Sequence, residues 1–193
     1  MEPTRYACDS SWRYKENKMG DPVHSFKKGK KVIIIEMILM GTFATFFMDF
    51  LAGFLVKRKF IHSFIPPEAL GRWFLYMFRG KFIHKDIHKT PALKNEKLWC
   101  FISHYLIGIV LAGIYLYLEL KVPIIRDQLW MTIIFGIATV FLPWFWLLPS
   151  TGLGFMASKS SNRYLIIRTN LINHTNFGLG LFIWILSFHR FFI

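Results

Sequence analysis

The chain has 193 residues, enough for one domain, and its 54% hydrophobic and 18% aromatic content sets it apart from ordinary soluble proteins. A formal charge of +13 would suggest a nucleic-acid partner in a soluble protein, but here lysine and arginine crowd the ends of long apolar runs. That arrangement belongs beside a bilayer, so the expected partner is lipid and not nucleic acid.

Residues 1–31 are polar, charged and without apolar periodicity, and are expected to form an unstructured tail or an over-called start. Translation from Met37 would still leave an apolar run long enough to span. Cys8 lies in the tail and Cys100 at the head of an apolar run, so two free thiols are expected. Residues 32–193 read as one membrane domain of all-α class, a four-helix transmembrane bundle. Its spans fall at 32–56, 98–120, 129–149 and 171–188, near the about 20 residues that cross a hydrocarbon core of roughly 30 Å.

The first span contains GTFATFFMDFLAGFLV, and Asp49 is its anomaly. Counting by fours from Gly41 gives Thr45, Asp49 and Gly53, one small and polar face. The second span repeats this with Cys100, His104, Gly108 and Ala112, and the fourth with Asn170, His174 and Gly178. Small residues at that spacing let helix backbones approach, and polar residues on the same face turn into the bundle. A lipid-facing carboxylate costs on the order of a few kcal/mol even on the lenient insertion scale. Asp49, His104, His174 and Asn170 are therefore the candidate polar site. They are expected at the end of the bundle where the first span exits, where Pro143 and Pro149 also free backbone carbonyls.

The loop after the first span is about 40 residues long and needs structure of its own. In PPEALGRWFLYMFRG the residues Leu70, Trp73, Phe74, Met77 and Phe78 form a one-sided apolar stripe, which predicts a short amphipathic helix over 67–79 lying in the membrane interface. Arg72 on that helix is a candidate partner approaching Asp49 from the interface. Further on, His84, Asp86 and His88 are of types that bind zinc, but Lys85 and Lys89 intervene and no second ligand cluster exists. A solvated loop is the preferred reading there. STGLG lacks the spacing and strand context of a phosphate cradle and reads as a close helix turn. Ser150, Thr151 and Ser158 would become nucleophiles only if a histidine base approached. Glu36 and Glu119, near the opposite membrane side, are expected to snorkel or pair.

GTFATFFMD, GRW at Gly71–Trp73, GKFIHKDI, SHYLIGI, PWFWLLPSTGLGFMAS and NHTNFGLGL together resemble a bacterial membrane family catalogued as domain of unknown function 2938. The resemblance runs from about Ile38 to Phe182 and leaves the tail uncovered. It implies a four-helix integral membrane protein, with no established activity. The matching positions are Asp49, Arg72, His84, His104, Gly152, Gly154, Ser158, His174 and Gly178.

Three function classes follow from these residues. The leading one binds or moves a proton, cation or small solute at one face of a bacterial cytoplasmic membrane, with Asp49 exchanging the charge, His104 and His174 tuning it and Arg72 guarding the approach. The alternatives are an intramembrane metal- or serine-dependent enzyme and a structural helper subunit with no site of its own. No motif names a cofactor, and a second copy or another membrane protein is a further expected partner.

Orientation depends on the start. With the whole tail counted, basic residues nearly balance across the two sides; from Met37 they concentrate on the side of the long loop, which the positive-inside rule then places in the cytoplasm. The second case is the expected one. A reporter that is active only after export, fused behind Ile193, should be active, and an inactive exported-side reporter paired with an active cytoplasmic one would reverse the orientation.

Overall fold

The computed structural model describes residues 30–62 and 65–192, and all regular structure among them is helical. The expectations for residues 1–29, Cys8 included, lie outside the described residues.

Helix α1 runs Lys30–Lys57. It ends where Lys59 takes a left-handed conformation (φ 61) and Phe60 N–H returns to Leu55 O at 2.9 Å, which satisfies a carbonyl of the last turn. Helix α2 covers Pro67–Met77, opened by Pro67 and Glu68 in its first turn. Helix α3 covers Glu96–Lys121, and a short α4 follows at Pro123–Asp127.

The next apolar segment, Met131–Thr151, is helical but not uniform. Helix α5 covers Met131–Ala138, a π-helical turn covers Pro143–Leu147, and α6 covers Leu148–Thr151. Proline at 143 has no N–H to give to the preceding turn, so the helix widens there instead of stopping. Helix α7 runs Arg163–Ser187, followed by a 3₁₀ turn at His189–Phe191.

Three helical segments are long and apolar enough to cross a membrane: Lys31–Lys57, Glu96–Lys121 and Met131–Thr151. A fourth was expected at 171–188. That stretch belongs to α7, which starts earlier and carries Arg163, Arg168, Asn170, Asn173, His174 and Asn176, so it is less apolar than the other three. Apart from exposed Arg163, these polar residues are partly or fully buried, because α7 is the inner helix, packed against both α1 and α5. Helix α1 packs on α3 as well, giving the order α3, α1, α7, α5.

The helices meet where side chains vanish. Gly41 of α1 lies on the backbone of Gly108 and Ile109 in α3, and a Cβ at Gly136 of α5 would sit 2.5 Å from Gly178 Cα in α7. Such contacts bring backbones close enough for dispersion to hold helices together without hydrophobic drive. Met40, Ala44, Tyr115, Phe177, Leu181 and Trp184 fill the core below them. The exterior is apolar as well: Phe46, Phe50 and Phe54 form an exposed stripe on α1, and Leu106, Val110 and Ile114 do so on α3. An apolar outside around a small-residue inside is what lipid as solvent favours.

At the opposite end from α2, His189 Nδ1 hydrogen-bonds buried Glu36, and His189 Nε2 lies 3.4 Å from Glu119 Oε1. The two glutamates therefore pair through a histidine and do not snorkel. Cys100, half-buried in α3, is a free thiol.

Gly136→Ala should lower stability by about 1–3 kcal/mol, the usual cost of overpacking, as read by thermal or denaturant unfolding in detergent. Gly53→Ala is the control, because a Cβ there meets nothing within 4 Å. It should leave stability unchanged or raise it by up to about 1 kcal/mol through helix propensity. Equal effects of the two substitutions would contradict the crossing geometry.

Candidate functional site

Between α3 and the π-helical turn the bundle does not close. A cavity of about 430 Å³ remains, walled by α1, α3, α7 and residues 142–147, with Leu70, Trp73, Phe74 and Met77 of α2 on its fifth side. The apolar stripe of α2 therefore faces the cavity. Only Phe78, just past the helix, is largely exposed. Trp73 meets Trp146 edge-on at 6.0 Å, joining α2 to the π-helical turn, and Tyr115 against Phe135 at 5.3 Å bridges α3 and α5.

The cavity wall carries Asp49, His104, His174 and Asn170, four of the five residues that sequence singles out. His104 Nε2–H donates to Asp49 Oδ1 at 3.0 Å. The approach of α3 to α1 makes this reach possible: a Cβ on Gly108, one turn from His104, would collide with the Thr45 hydroxyl, one turn from Asp49. Thr45 in turn donates to Gly41 O at 2.8 Å, so its oxygen adds no unsatisfied donor to the wall.

His174 is held differently. Thr139 Oγ1 lies 2.6 Å from Gly136 O and 2.7 Å from His174 Nδ1. A hydroxyl has one proton, and the carbonyl can only accept it, so in the neutral ring Nδ1–H donates to Thr139. Nε2 is then an acceptor. Asn170 Nδ2 and Asn173 Oδ1, on the same face of α7, are buried without a hydrogen-bond partner among the described residues. Native proteins seldom leave such atoms unpaired without a reason.

Arg72 does not belong to this wall. Its Nε and Nη2 donate to Glu96 Oε1 and Oε2 at 2.6 and 3.0 Å, and Nη1 reaches the carbonyls of Ile87, His88 and Thr90 at 3.2, 3.4 and 2.8 Å. Glu96 also accepts Leu93 N–H at 2.7 Å. This planar, bidentate pair is nearly buried, and the carboxylate beside Arg72 pushes its guanidinium pKa up. Arg72 is thus a clamp that fastens α2 to the start of α3 and to the 87–90 loop, and the expectation that it approaches Asp49 is corrected.

The same loop disperses the H-x-D-x-H residues. His84 is buried, Asp86 accepts His88 N–H at 2.9 Å, and the His88 ring is exposed. Among the described residues no group of three histidine, cysteine, aspartate or glutamate side chains is placed to hold a metal ion. The loop instead docks on the STGLG turn. His84 N–H donates to Ser150 O at 2.8 Å and Ile87 N–H to Thr151 O at 3.1 Å. Gly152, at φ 99, has no room for a Cβ against the Lys85 carbonyl. Thr151 Oγ1 donates back to the π-helical turn, to Leu147 O at 3.0 Å.

Sequence reading missed Asn173, Thr139 and Glu96. Asn173 follows Asn170 by three and precedes Phe177 by four, so an i, i+3, i+4 count along α7 would have found it. Thr139 and Glu96 act through contacts distant in sequence, and no local pattern marks them.

A protein-family model described as Protein of unknown function (DUF2938) matches residues 38–186, most of the chain, and the chain belongs to that family. No curated protein and no solved structure matches it.

His84 gives the site a pH test. Thr90 Oγ1 donates to Asp86 O at 3.0 Å, so His84 Nδ1–H donates to Thr90, also at 3.0 Å, and buried Nε2 has no partner. That lack of a partner for Nε2 holds among the described residues, and burial, helped by Lys81, pushes the His84 pKa below its ordinary value. The unfolded chain then binds the extra proton first, so stability present above about pH 6.5 is lost as pH falls toward the lower folded value. The stability difference between wild type and His84→Gln should shrink from pH 7.5 to pH 5. A difference that stays constant or grows would show that the ring is not buried in its neutral form.

Proposed function

We propose that this DUF2938 protein is a four-span protein of the bacterial cytoplasmic membrane that binds a small, largely apolar solute beneath α2. The observation that carries the reading is the Asp49–His104 hydrogen bond set into the wall of the cavity. A carboxylate on the wall of a mostly apolar cavity, with its side chain 38% exposed and beside a group able to give or take its proton, serves binding and release of charge. Ligand cavities commonly run from about 300 to 1,000 Å³ with few polar groups on an apolar lining, and this one has that size and makeup.

Helix α7 is the proposed fourth span. Its 25 residues extend roughly 37 Å at 1.5 Å per residue, and its polar face turns to the cavity and to α5 and not to lipid. Helix α2 is too short to cross, and in this reading it lies at the cytoplasmic interface as the cover of the cavity.

Asp49→Asn keeps the volume of the side chain and its capacity to accept from His104 while removing the charge. In a strain lacking the protein, wild type should restore whatever growth or solute-tolerance phenotype the deletion produces, and Asp49→Asn should fail to, while inserting and unfolding within about 1 kcal/mol of wild type. Full complementation by the Asn variant would mean that the pair only holds helices together, the role of a structural helper.

A further inference from the structure

We infer that the solute taken by this cavity is an organic ammonium ion, an amine carrying a hydrophobic body; the inference rests on the binding role proposed above and specifies its ligand. Four observations converge on that chemistry. First, although the chain is strongly basic, no lysine or arginine among the described residues lines the cavity, and Asp49 is the one carboxylate among them that does. A carboxylate or phosphate ligand would find no counter-charge there and would face Asp49 directly.

Second, the lining offers acceptors that an N–H donor can use. Asp49 accepts from His104 at Oδ1 with the Tyr105 side chain beside the same carboxylate, and His174 spends its N–H on Thr139 and keeps the Nε2 lone pair. Asn170 and Asn173 add amides that both donate and accept. An ammonium group brings up to three N–H donors and no acceptor, which answers the acceptor set.

Third, the rest of the wall is aromatic and aliphatic. Trp73, Trp146, Phe74 and Phe177 give faces that attract a cation through the ring quadrupole and bury a hydrocarbon body at once. Fourth, an inorganic cation is poorly matched. Calcium takes six to eight oxygen ligands and magnesium about six, whereas this wall is mostly carbon and the described residues hold no metal-binding trio.

The test uses the full-length protein in phosphatidylcholine nanodiscs, with empty nanodiscs subtracted, and reads tryptophan emission at pH 7.5. Three probes of matched size are titrated: 2-phenylethylamine, which is cationic, 2-phenylethanol, which is neutral, and phenylacetate, which is anionic. The amine should bind wild type at least tenfold more tightly than the alcohol, phenylacetate should be weakest, and Asp49→Asn should reduce the amine to the affinity of the alcohol. The ranking on wild type stands without the variant, should Asp49→Asn fold poorly. An alcohol or acid that binds as tightly as the amine overturns the ammonium assignment and leaves the binding cavity in place. An amine preference that survives in a folded Asp49→Asn protein also overturns it, because Asp49 is then not the recognising group. If none of the three perturbs the tryptophans, the binding reading fails together with the inference.

Discussion

Everything in this bundle follows from one charge that lipid will not accept. Asp49 sits in the apolar second half of α1, and its carboxylate is stable there only with a donor nearby and lipid kept away. His104 supplies the donor at 3.0 Å. For that ring to reach, α3 must approach α1 to within backbone contact, which is the role of Gly41, Thr45 and Gly108 one and two turns away. The polar pair and the small-residue crossing are thus a single device, and changing either disturbs the other.

In the proposed reading, excluding lipid falls to α2. A helix of 11 residues has little stability by itself, so it must be held by tertiary contacts. Arg72 provides them by binding Glu96 through two nitrogens and the 87–90 carbonyls through the third. The loop that follows is fixed in turn to the Ser150–Thr151 turn by two backbone hydrogen bonds. A continuous chain of contacts therefore runs from the first turns of α3, through the loop, to the end of the third apolar segment, and the aromatic stripe of α2 is presented to the cavity as a result.

Much of this was legible in the residues because helical periodicity is local. The four-residue count through Asp49, through His104 and through His174 needed only the geometry of one helix at a time, and the structure sets these three residues around one cavity. The one-sided stripe of Leu70, Trp73, Phe74 and Met77 likewise announced a helix, but not what it would cover: an apolar face is equally at home on lipid and on a cavity. Partners were illegible for the same reason. Nothing near Arg72 points to Glu96, and Glu36 meets His189 only because opposite ends of the chain fold together. The fourth helix was misjudged at its start, since hydropathy falls where polar residues face inward, and α7 extends eight residues before the apolar stretch begins.

The central claim is that Asp49 is turned to His104 inside the protein and not to acyl chains. Solid-state NMR on selectively labelled protein in lipid bilayers measures this directly, through magnetisation transfer between the Asp49 side-chain carbon and the His104 Nε2 nitrogen, compared with transfer from lipid acyl protons to the same carbon. The account predicts a strong carbon–nitrogen correlation, as expected for a hydrogen bond with donor and acceptor about 3 Å apart, and negligible transfer from the acyl chains. A carboxyl carbon that receives its magnetisation from lipid and shows no contact with His104 would contradict it.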